Sequence, residues 1–247
     1  MIATPAFAHQ TFLLSEKFEY SDNETVSVSL TSALSFPNVE HGPAKDRIAF
    51  SYAVMGGEPI TDMTFEESET ALKISLTTDK TGFAVVAMSS KPRAGEIPPE
   101  DVAMYLDEIE ADDGVRAAFD ALPGEPPLQR SYAKHAKTFV CIITCRDATD
   151  LESPVGQKLE FVVAATGGNT FQLLLDGRPL AGKQVAISSI ESEALAAETD
   201  ENGMFGVSDN VSGVVMLSAV WITLPDRPDG VYHSDYATLT IDLNQLP

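Results

Sequence analysis

From residue 26 the chain alternates: Val26, Val28 and Leu30 are apolar, and Ser27, Ser29 and Thr31 between them are polar. Successive side chains of an extended backbone point to opposite faces, so this spacing builds one apolar face and one polar face and predicts a half-buried strand. Leu72, Ile74 and Leu76 repeat it. The run GFAVVAMSS, residues 82–90, is almost continuously apolar, as expected of a strand covered on both sides. Separated by Gly, Pro, Asn and Asp, such segments predict a mainly β chain of immunoglobulin-like sandwich architecture.

One stretch breaks the period of two. Pro98, Pro99, Glu100 and Asp101 make a helix start, after which Val102, Leu106 and Ile109 share one helical face and a second short helix carries Val115, Phe119 and Leu122. Residues 98–123 therefore read as a short helical insertion. Its acids Asp107, Glu108, Glu110, Asp112 and Asp113 read as a solvated face rather than a cation site. After the polar linker DATDLESPVGQ the alternation restarts. The expected organisation is two β-sandwich domains, residues 9–152 and 153–247, behind a short start at residues 1–8.

Within the second unit, DGRPLAGKQVAI followed by TDENGMF resembles the transthyretin-like or carboxypeptidase-regulatory β-sandwich domains. That resemblance implies a fold and no chemistry. Glu198, Asp200, Asn202, Gly203 and Asp209 come close to the spacing of a calcium loop, but a calcium loop of that type joins helices, whereas both flanks here read as strands. Asn202-Gly203 reads more simply as a hairpin turn.

The chain carries 37 Asp and Glu against 16 Lys and Arg, a net charge of -21, which argues against nucleic-acid partners because phosphate binding needs a basic patch. No stretch reaches the ~18 apolar residues of a membrane span. There is no GxSxG, no HExxH and no glycine-rich phosphate loop, and the HSD triplet at 233–235 cannot form a relay because neighbours on a strand face opposite ways. The expectation is a protein that is not an enzyme.

Cys141 and Cys145 are the only cysteines. On a straight strand their Cα atoms would stand ~13 Å apart at ~3.3 Å per residue, and a disulfide spans at most ~6.8 Å. The pair can close only if the chain bulges or turns after Ile142, and a small-loop disulfide is favoured over two free thiols. The Ala6-Phe7-Ala8 triplet has the small-x-small form cut by signal peptidase, so residues 1–8 read as the remnant of a signal and His9 as the first residue of the exported chain.

AHQTFLL, SALSFPNVEHGPAKDRI, FDALPGEPPLQRSYAKHAKTF and DGVYHSDYATLTIDL together resemble the secreted bacterial family catalogued as domain of unknown function 4198, some of whose members carry a label from nickel uptake. The resemblance implies a periplasmic location and a chain that begins at or beside His9. Such a chain offers a free α-amine and an imidazole from one residue, and one more imidazole would complete a three-nitrogen set suited to nickel, cobalt or copper. The histidines are His9, His41, His135 and His233. The expected metal ligands are His9, with His233 as the third nitrogen and His135 as a further candidate; Asp235 is placed to orient His233, and His41 sits in a Pro/Gly-rich loop. The functional expectation is a non-catalytic periplasmic protein that binds a divalent transition metal and serves a metal transporter or another envelope protein. The alternative is an envelope interaction module that docks a protein or glycan, with no metal role.

Overall fold

A computed structural model describes residues 9–164, 168–190, 194–227 and 229–247. The Ala6–Ala8 triplet lies outside the described residues. The chain is mainly β, and among the described residues its strands form three sheets. The first sheet joins strands Gln10–Ser15, Val26–Ala33, Leu72–Leu76 and Met63–Glu67, all antiparallel. The central sheet runs from Leu195–Glu198 through Gln184–Ser189, Val214–Thr223, Tyr232–Asp242, Leu128–Ile142, Gly82–Ser90 and Ile48–Met55 to Glu58–Pro59. The third is built on Leu159–Val163 and Thr170–Leu175.

The central sheet is covered on both faces, and the parity of its side chains shows how. From the strand Gly82–Ser90, Ala84, Val86 and Met88 pack with Val26, Val28, Leu30, Leu72, Ile74 and Leu76 of the first sheet. Phe83 and Val85 point the other way and pack with Phe161, Phe171 and Leu173 of the third. This two-sided burial is why GFAVVAMSS reads as a continuous apolar run. Across the second face, Lys137 and Glu160, each 1% exposed, form a buried ion pair that links the central sheet to the third. Glu160 also accepts the backbone N–H groups of Val155, Gly156 and Gln157, which fixes the linker.

Residues 9–152 and 153–247, expected as separate sandwiches, share this central sheet. The strand Leu128–Ile142 pairs in parallel with Tyr232–Asp242, bringing Arg130 opposite Tyr232 and Thr138 opposite Thr240. A single apolar core then draws on Val85 and Phe139 from one half and on Leu173, Leu217 and Leu239 from the other.

The helical insertion forms Pro99–Glu108 and Asp113–Asp120, between the antiparallel strands Arg93–Ile97 and Leu128–Ile142. Val102, Tyr105, Leu106, Ile109 and Val115 are buried against Leu128, Ile222 and Tyr232. Arg116 fastens the two helices: its Nη2 and Nε donate to the carbonyls of Leu106 (2.9 Å) and Ala111 (2.9 Å), and its Nη1 pairs with Asp107 (2.6 Å). At the end of the first helix the Leu106 carbonyl thus accepts both from Arg116 and from Ala111 N–H (2.9 Å).

Beyond Ile142 the chain turns sharply. Ile143 has a φ of 63°, and Thr144 N–H donates to the Ile142 carbonyl (2.8 Å). The turn brings the Cα atoms of Cys141 and Cys145 to 5.6 Å, and the two form a disulfide. At 200–204 the side chain of Asp200 accepts the N–H groups of Asn202 and Met204 (both 2.8 Å), and Gly203 supplies a φ of 70°. The acidic motif there is a hairpin turn.

Candidate metal centre

Among the described residues, one group of three possible ligands converges: His9, Glu40 and His41, whose ligand atoms lie within 4.8 Å of one another. Strand register explains the convergence. Thr11 pairs with Ser32, and Ser32 on its other side forms a two-hydrogen-bond bridge with His41 (Ser32 N–H to His41 O, 2.8 Å; His41 N–H to Ser32 O, 3.0 Å). Thr11, Ser32 and His41 thus form a lateral row, and the hydroxyls of Thr11 and Ser32 meet at 2.6 Å. His9 lies two residues before Thr11 and so projects from the same face. The rings of His9 and His41 stand 5.2 Å apart, centre to centre.

The segment 34–41 is held in place by hydrogen bonds to its own strand. Thr31, fully buried, accepts from Glu40 N–H (3.2 Å) and donates to the Thr70 carbonyl (2.7 Å). Glu40 Oε2 accepts from Leu34 N–H (3.1 Å), which orients the carboxylate. Gly42 N–H donates to the Glu69 carbonyl (2.9 Å). A Cβ on Gly42 would stand 2.4 Å from the carbonyl oxygen of Ser68, so only glycine lets the loop approach so closely.

Two imidazoles and a carboxylate suit a divalent transition ion and leave coordination positions open. If the chain begins at His9, the α-amine adds a donor on the same residue. Glu40 was not singled out from the sequence. Its signal was the Glu40-His41 doublet, which gains meaning only once the loop is folded back on Ser32.

The structure places the other two histidines together, elsewhere. Parallel pairing sets Ser131 beside His233 and Ala133 beside Asp235, so Ser131, His135, His233 and Asp235 share one face. His135 Nε2 and His233 Nε2 approach the same Asp235 oxygen, at 3.0 and 3.4 Å. His135 Nδ1 meets Ser89 (2.9 Å) and His233 Nδ1 meets Ser131 (2.9 Å). All four ring nitrogens have partners, and neither ring joins His9 in the converging group.

A cavity of about 650 Å³ opens beside His9 and His41, between the loop 42–48 and the strand Leu128–Ile142. Lys134 reaches into this region and donates to the His9 carbonyl. Burial, then the charges of Arg130 and Arg93, pull the Lys134 ammonium down to about 8. Its ammonium also lies over the rings of Tyr132 (5.9 Å) and Tyr236 (5.8 Å).

Fold and site together define a layered, mainly β protein with a mixed histidine–carboxylate cluster at the rim of a cavity. The chain belongs to the family described as a domain of unknown function, DUF4198, whose model matches residues 6–223. No curated protein matches it. Similar solved structures include SGBP-B of the Bacteroides ovatus mixed-linkage glucan utilization locus, in complex with a mixed-linkage heptasaccharide. It is 11% identical with a TM-score of 0.23, and the alignment covers 98% of this chain and 47% of that one. Trypsin-activated alpha-2-macroglobulin from Escherichia coli is 9% identical with a TM-score of 0.26, covering 97% of this chain and 16% of that one. An I-band fragment of titin is 8% identical with a TM-score of 0.21, covering 95% and 66%. In each case the chain spans less than two thirds of its neighbour.

Proposed function

We propose that the protein is an exported, non-catalytic metal-binding protein that holds one divalent transition ion, nickel, cobalt or copper, through His9, Glu40 and His41. The observation that carries this reading is the convergence of those three side chains to within 4.8 Å on one sheet face. His9 has a second role in this reading: as the first residue of the exported chain it closes a chelate through amine and ring. The Cys141–Cys145 disulfide supports an oxidising compartment. The role in the envelope is capture and hand-over of the ion to a transporter or another envelope protein.

Isothermal titration of metal-free protein with nickel and with copper tests it. One ion should bind per chain, and copper should bind more tightly than nickel, following the usual affinity order. His41→Ala should weaken binding at least tenfold, and His233→Ala should leave it unchanged. Equal binding by wild type and His41→Ala would overturn the assignment.

A further inference from the structure

The cavity beside the metal cluster is basic in a protein that is otherwise strongly acidic. Its lining includes Arg47, Lys91, Arg93 and Lys134, four of the 16 Lys and Arg in the chain, and no Asp or Glu. Among the described residues none of these four forms an ion pair with a carboxylate, although acids outnumber bases 37 to 16. Arg47 spends only its Nη2 on protein acceptors, the carbonyls of Lys91 (3.0 Å) and Pro92 (3.4 Å). Four cations without counter-ions around one concavity attract an anion and repel one another in its absence.

We propose that this cavity is a second binding site, for a small ligand carrying two or more carboxylates, bordering the metal cluster. Its volume lies in the range of small-molecule sites. Guanidinium groups match carboxylates bidentately, and Arg47 and Arg93 supply two of them. Tyr132 and Met88 line the same space and offer apolar surface to a ligand's carbon skeleton. Carboxylate is favoured over phosphate because of what lies at the rim. His9, Glu40 and His41 leave open positions on a metal, and the surrounding cations oppose entry of a bare divalent ion. A polycarboxylate neutralises those cations and can fill the open positions with oxygen donors. The preference for carboxylate over phosphate and this last role rest on the metal reading; the anion site stands on the cavity itself.

The test uses citrate as the probe on the full exported chain, by isothermal titration. Metal-free wild type should bind citrate, and the double variant Arg47→Gln/Arg93→Gln should bind it at least tenfold more weakly. Both side chains are exposed, so the variant should keep the wild-type circular dichroism spectrum and urea midpoint. Nickel-loaded wild type should bind citrate at least tenfold more tightly than the metal-free protein. Failure of citrate to bind, an unchanged affinity in the double variant, or equal displacement by inorganic phosphate would overturn the proposal. Citrate binding that persists in a protein that takes up no nickel would support the cavity site and sink the metal reading instead.

Discussion

Gly42→Ala should disable the metal cluster without touching a ligand. The added Cβ would stand 2.4 Å from the Ser68 carbonyl oxygen, 2.7 Å from Ala71 N and 2.8 Å from Ala71 C, all backbone atoms. Ordinary van der Waals contact is about 3.5 Å, so the chain at 41–42 must back away by about 1 Å. The opposing turn cannot yield instead, because Ser68 and Ala71 are tied by three hydrogen bonds of 2.8–3.1 Å. Overpacking of this kind costs about 1–3 kcal/mol. Metal–ligand distances tolerate only about 0.2 Å, so a shift of about 1 Å takes His41 out of bonding range. Urea unfolding should show the stability loss, and nickel titration should show an affinity at least tenfold lower. Gly206→Ala is the control: its Cβ would meet nothing within 4 Å, and both measurements should match wild type. A Gly42→Ala protein with wild-type urea midpoint and nickel affinity would refute the packing argument.

Glu160→Gln should destabilise the protein by about 3–5 kcal/mol, because it leaves the buried Lys137 ammonium without its counter-charge; chemical denaturation measures this, and a loss below about 1 kcal/mol would contradict it. Replacing Cys141 and Cys145 by serine together should cost no more than about 2 kcal/mol, since the disulfide closes a loop only four residues apart in sequence and constrains the unfolded chain little; a variant unable to fold at 25 °C would contradict it. Lys134 titrates near 8 in the folded protein and near 10.5 when unfolded. Between those values the unfolded chain binds more protons, so stability should rise by up to about 1.5 kcal/mol from pH 8 to pH 9.5, and Lys134→Met should flatten that slope. A falling slope in wild type over that range would show the sign to be wrong.

The alternation of Val26, Val28 and Leu30, and the helical spacing of Val102, Leu106 and Ile109, are local signals, and both elements stand where they were expected. The shared central sheet was not legible, because it depends on parallel pairing between residues a hundred positions apart, such as Ser131 and His233. The same non-locality hid the His9–Glu40–His41 cluster. His41 sits in what reads as a loop, and only its bridge to Ser32 brings it and Glu40 to His9. Parallel pairing puts His135 and His233 on one face, where their common partner is Asp235. The burial of Lys137 becomes intelligible only with Glu160 arriving from another sheet.

The most direct test of the central claim is anomalous diffraction from crystals of the exported chain grown with nickel, recorded on both sides of the nickel absorption edge. The account predicts one anomalous peak within bonding distance of His9, Glu40 and His41. A peak between His135 and His233, or none on a protein that binds nickel in solution, would contradict it.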